Sequence, residues 1–298
     1  MFFSREVTST NSVCSILPAV LFETALFGIF TLLVAISTWI LIRKGFNSLS
    51  TKAMLAATLV MYAAATVHWA SQLDLFLILQ KDAQLVQMIC DDIFFFSSSG
   101  GSTVSTVFHQ CAPSAMLSVN IILSDTIVLW RAWILRSGRA LRTLSILLLL
   151  GTIGTSALDT ALNRASANVL FGQSFNENPM GIFVFPFSWT TNIYAASVIG
   201  YKAWQHRRRI RDHLQHGNAR TRAEKVMALF VESGLVYCSL WAFLTANAVI
   251  QVFALIPNSQ SGARLITAGN VFVDGGLIQL IGIYPTIVII LVSLDMAH

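Results

Sequence analysis

Seven long apolar stretches set the hydrophobic pattern of this chain, at roughly residues 17 to 42, 53 to 79, 112 to 135, 141 to 162, 183 to 204, 226 to 254 and 265 to 294. A helix that crosses a hydrocarbon core takes about 20 mostly apolar residues at ~1.5 Å of rise each. The pattern therefore predicts an all-α fold, a seven-transmembrane helix bundle forming a single membrane domain over residues 1–298. No internal repeat divides it into two halves, because the first three and last three spans share neither polar nor Pro positions.

Basic residues set the expected orientation, since Lys and Arg near span ends are retained in the cytoplasm. The odd-numbered connections hold Arg43, Lys44 and Lys52; then Arg131, Arg136, Arg139 and Arg142; then Lys202, Arg207, Arg208, Arg209, Arg211, Arg220, Arg222 and Lys225. Only Arg5, Lys81, Arg164 and Arg264 fall elsewhere. The N-terminus is therefore expected outside and the C-terminus inside, in a multi-pass protein placed by default in the plasma membrane. Met1 to Ile16 lacks the order of a cleavable signal, so the first span is expected to serve as its own insertion signal.

Composition agrees with the bilayer as solvent and as first partner: 55% of residues are hydrophobic and 11% charged. The net charge of +5 comes from residues that topology already requires, and no nucleic-acid motif accompanies them. The loop from Lys202 to Lys225 is the densest basic segment and is the expected contact for a cytosolic signalling partner or anionic lipid.

Polar side chains inside spans carry the functional expectation, because each is costly facing lipid and is expected to face the bundle interior. By depth they fall into two layers. Glu23, His68, Asp74, Asn120, Trp189, Asn192, Asn247 and Asp274 form an outer and middle set, expected to bind a small ligand between helices. Asp125, Arg131, Glu232 and Tyr284 form an inner set, expected to act as a switch. On the third span, Asn120, Ser124 and Arg131 share a stripe at 100° per residue, while Asp125 lies well round from it and needs other partners. Arg131 can reach the depth of Glu232, which predicts a latch between spans three and six, or else it snorkels to headgroups between Trp130 and Trp133. Pro285, beside Tyr284, is expected to bend the seventh span.

The remaining chemistry is sparse. Cys14, Cys90 and Cys111 lie on or near the outer side, where one disulfide is expected: Cys90 with Cys111, or Cys14 with Cys111. Phe94 to Val107 reads as a loop or lid after span two. His68 alone lies within a span, with His109 near a mouth, so no metal site, no cofactor and no enzyme activity are expected. The absence of Lys after Lys225 argues against a retinal Schiff base in the last span.

Three segments carry a resemblance. Asn120 to Trp133, Val231 to Trp241 and Gly282 to Val292 resemble the recurrent motifs of seven-span proteins expanded in mushroom-forming fungi, described as integral membrane or receptor-like proteins of unknown function. The resemblance implies a seven-helix bundle and supplies no ligand. Two function classes follow: a receptor-like sensor of a small extracellular ligand, or a small-solute transporter or channel, which would require a continuous polar path from the outer carboxylates to Asp125 and Glu232. A scaffold with neither activity is the third reading.

Overall fold

The computed structural model describes α1 (Phe3–Lys44), α2 (Leu49–Asp91), α3 (Thr103–Leu135), α4 (Arg139–Ala165), α5 (Pro179–His213), α6 (Arg222–Phe253) and α7 (Gln260–Asp295), with side chains described mainly in the central turns. Each apolar stretch falls on one helix, and α1, α2 and α5 continue for several turns past theirs. No strand occurs among the described residues. Five described segments are long and apolar enough to cross a membrane: Leu17–Arg43, Lys52–Ile78, Ala112–Trp133, Leu141–Ala161 and Val231–Ile250. A shorter apolar segment, Gly275–Leu291, lies in α7. The protein is a multi-pass helical membrane protein.

Burial is arranged as lipid demands. Leu21, Ile29, Leu32, Ile36 and Trp39 form an exposed stripe on α1, and Leu144, Leu147 and Leu150 do so on α4. The polar face of α4 points inward, with Ser145, Thr152, Ser156 and Asp159 all buried along one stripe. Many hydroxyls bond the carbonyl four residues back, as Thr58 does to Met54, Ser118 to Ser114 and Thr286 to Gly282. Such back-bonding lets a hydroxyl sit in an apolar bundle with its donor satisfied.

The helices form a closed ring in chain order, with α1 packed against both α2 and α7. The third helix is displaced into the centre, where it meets α2, α4, α5 and α7. Its apolar span is 61% buried, against 17% for that of α4. Residues of α3 therefore have the widest reach across the bundle. The largest apolar core joins Phe30, Met61, Ile121, Phe185, Trp241 and Ile281 from six of the helices.

A close seam runs between α1 and α7 and depends on glycine. A Cβ at Gly275 would strike the backbone carbonyl of Ala19, while one at Gly276 or Gly282 would strike the rings of Phe22 or Phe30. Backbone cannot step aside as a side chain can. Gly275→Ala is therefore expected to cost about 1–3 kcal/mol, the range for overpacking a tight contact. Gly234→Ala is the control, since its Cβ would stand 3.5 Å from Ala196 in ordinary contact. Unfolding in mixed micelles should separate the two, and equal stability of both proteins would contradict the close approach.

Candidate functional site

Among the described residues, three polar constellations stand out inside the bundle. The first joins α1 to α2: Glu23 is 1% exposed, and its Oε1 lies 2.7 Å from Nδ1 of the buried His68. An aromatic seam continues beside it. Trp69 Nε1 donates to Thr24 Oγ1 at 3.1 Å, and Phe27 stacks on Trp69 and Tyr62 at centroid distances of 4.8 and 5.7 Å. Spacing explains the local arrangement, because Glu23 and Phe27 share one face of α1 at four residues' separation.

The second constellation centres on Asp125, which is fully buried and bridges α3 to α4 and α5. Its Oδ1 accepts from Ser188 Oγ at 2.7 Å and from Asn192 Nδ2 at 3.2 Å. Among the described residues its Oδ2 has only Thr152 Oγ1, at 3.4 Å. Ser188 and Asn192 are one helical turn apart, so α5 presents both to the same carboxyl group. All three partners are neutral.

The third begins at the adjacent residue. Ser124 turns toward α6, where its hydroxyl lies 2.8 Å from that of the buried Tyr237. Tyr237 stacks on Tyr284 of α7, with centroids 4.1 Å apart and planes 4° from parallel, and meets Trp241 edge-on at 6.1 Å. The Arg131 guanidinium, 6.0 Å from the centre of the Tyr284 ring, closes the group. A cavity of about 10 Å³ lies between this group and Asn192, lined also by Val128, Ala196, Ile199 and Gly234. That is about the least space that holds one water, and Arg131, Asn192 and Tyr284 supply polar walls.

The expected ligand-binding residues do not gather around one void. Glu23 and His68 meet each other, whereas Asn192 belongs to the Asp125 group rather than to a layer with them. Asn120 is buried with its Nδ2 at 3.5 Å from the Ile278 carbonyl of α7, and Asn247 packs against Gly269. Trp189 packs, partly buried, on the main apolar core. Asp74 is exposed on an open groove along α2 that also includes Trp69, Ser71 and Leu77. The side chain of Asp274 lies outside the described residues, as do those of Cys90 and Cys111 and most of the basic loop from Lys202 to Lys225.

Within the expected switch set, Arg131 and Tyr284 come together, and Asp125 takes separate partners nearly two turns along α3. Glu232 differs: it is exposed, on the same outward face as Leu235, Val236 and Ser239. The 100° step from Tyr237, which points inward, places Glu232 on the opposite side of α6. Thr152, Ser188 and Tyr237 are participants that the spans' charged residues alone did not reveal. Gln279 is fully buried, and neither of its amide atoms has a hydrogen-bond partner among the described residues. The same holds for Asn120 Oδ1 and Asn247 Nδ2. No group of three or more His, Cys, Asp or Glu able to hold a metal occurs among the described residues. Comparison with known proteins finds no matching family model, no similar curated protein and no similar solved structure.

Proposed function

We propose that this chain is a seven-transmembrane, receptor-like protein, with its N-terminus outside, that senses a small ligand and signals through its basic cytoplasmic segment. The observation that carries the reading is the join between α3 and α6. Among the described residues the backbones of these two helices do not pack together, yet the Ser124 and Tyr237 hydroxyls meet at 2.8 Å. A contact made by side-chain tips alone can open without breaking a packed helix interface, which is the property a two-state element needs. Support for a ligand comes from Asn120, Asn247 and Gln279 on α3, α6 and α7, whose uncommitted amide atoms favour a polar occupant or ordered water.

Tyr237→Phe tests the reading, because it deletes the hydroxyl and keeps the stacked ring. Proximity labelling from the segment between α5 and α6, in cells expressing wild type or Tyr237→Phe, is expected to capture a signalling partner to different extents. Equal capture, or capture of no signalling protein by either, argues against a receptor.

A second reading, an ion-coupled transporter, is favoured by one observation: Asp125 is buried with no basic partner among the described residues. Against a continuous polar path stand the buried Ile121, Trp241, Leu244 and Leu277 of the central core.

A further inference from the structure

We infer that Asp125 anchors a buried site for one small monovalent cation, H⁺ or Na⁺, at the junction of α3, α4 and α5. The inference holds whether the chain signals or transports, because it rests on the chemistry around one carboxyl group. A carboxylate withdrawn from water carries a heavy desolvation penalty unless a positive charge accompanies it. Asp125 is fully buried, and its three side-chain partners, Thr152, Ser188 and Asn192, are all neutral. The buried Glu23 differs, since its carboxyl group meets His68 between α1 and α2, away from Asp125.

The two carboxyl oxygens are served unequally. Oδ1 takes a short bond from Ser188 and a second from Asn192. Oδ2 is 3.4 Å from a Thr152 hydroxyl that also lies 3.2 Å from the Leu148 carbonyl. A hydroxyl has a single proton, and the shorter contact to the carbonyl is the ordinary helical back-bond. With that proton spent on Leu148, two oxygen lone pairs face each other across the Oδ2 to Oγ1 gap. A proton on Oδ2, donated to Thr152 Oγ1, completes the arrangement. A sodium ion does the same electrostatic work, since carboxylate and hydroxyl oxygens are the hard ligands that such ions take.

Among the described residues, few charged or titratable groups on neighbouring elements approach the site. Arg131 lies six residues along α3 and turns toward Tyr284. Asp159 is two turns from Thr152 on α4, and Tyr237 reaches the region from α6 through Ser124. On α5, Tyr194 is committed to the Leu141 carbonyl. Asn192, which donates to the carboxyl group, also lines the small cavity that has room for one water.

Ligand that binds only the folded state raises stability by mass action, so thermal unfolding of the purified full chain in micelles reads occupancy. Sodium chloride is titrated against N-methylglucamine chloride at constant ionic strength and fixed pH, and then pH is varied without sodium. Wild type and Asp125→Asn are compared, the amide being near-isosteric and able to donate to Thr152. If sodium raises the wild-type midpoint by several degrees and leaves that of Asp125→Asn unmoved, the site holds Na⁺. If sodium is inert and acidification stabilises wild type more than it stabilises Asp125→Asn, the site holds H⁺. Identical responses of the two proteins to both titrations overturn the inference. Should Asp125→Asn fail to fold, Thr152→Val replaces it: a weakened response supports the site, and an unchanged one overturns it.

Discussion

Replacing Glu23 by Ala is expected to destabilise the protein by about 3–5 kcal/mol, the cost of removing one member of a buried, hydrogen-bonded pair and leaving the other behind. Glu23 is 1% exposed and its carboxyl group sits 2.7 Å from His68 Nδ1, so the imidazole would lose its partner in a place water does not reach. His68→Ala is expected to cost a similar amount. The informative protein is the double replacement, Glu23→Leu with His68→Leu, which removes both polar groups and supplies apolar surface. Exchange of a buried pair for packed hydrophobic residues is often neutral or stabilising, so the double replacement should recover most of the loss. Denaturant titration of wild type, Glu23→Leu, His68→Leu and the double replacement in mixed micelles measures the coupling. Additive losses, with the doubly substituted protein the least stable, would show that the pair does not act as a unit.

That pair also marks what the sequence made legible. Glu23 and His68 stand out as polar residues in apolar stretches, and inward facing follows from the cost of exposing them to lipid. Their contact with each other does not follow, because it depends on the register of α1 against α2. The register is set by features such as the Phe27 stack on Trp69, which hydropathy cannot distinguish from ordinary apolar packing. Asn192 illustrates the same difficulty along the membrane normal. Counting depth from the ends of the fifth span groups it with outer residues, yet its amide reaches Asp125 of α3. A long polar helix such as α5 offers a poor origin for such a count, and a shift of one turn moves a residue by about 5 Å.

Angular position proved more informative than depth. The separation of Asp125 from the Ser124 and Arg131 stripe is visible in the sequence, and in the structure these residues serve different neighbours: α4 and α5 for Asp125, α6 and α7 for the others. The polar stripe of α4 and the Ser188 to Asn192 repeat on α5 were equally readable at helical spacing. Uncharged Ser and Thr are common in membrane helices as back-bonding groups, so they attract less notice than an intramembrane acid. Glu232 shows the limit in the other direction. Its depth suits Arg131, but the face of α6 that packs inward is decided by Tyr237, Trp241 and Leu244, all nearly inaccessible.

Those residues set the last expected result. Tyr237→Ala should cost about 3–5 kcal/mol, as truncation of a buried aromatic ring does, and it should also alter the spacing of α3 and α6. Tyr237 is 2% exposed and fills a gap that backbone does not bridge, holding Ser124 on one side, Tyr284 on another and Trp241 along its own helix. Removing the ring withdraws the hydroxyl from Ser124 and the stacking surface from Tyr284 at once, so α6 keeps its packing with α5 while its link to α3 is lost. Tyr237→Phe removes the first contact only, and its cost should stay near the about 1–3 kcal/mol of an unmade buried hydrogen bond. Spin labels on exposed positions of α3 and α6 would read the consequence as a distance distribution. A broadened or shifted distribution in Tyr237→Ala, with Tyr237→Phe between it and wild type, is the expected order. An unchanged distribution in Tyr237→Ala would mean that the neighbours collapse onto the gap, and that the spacing of these helices is held by α5 and α7 rather than by the tyrosine between them.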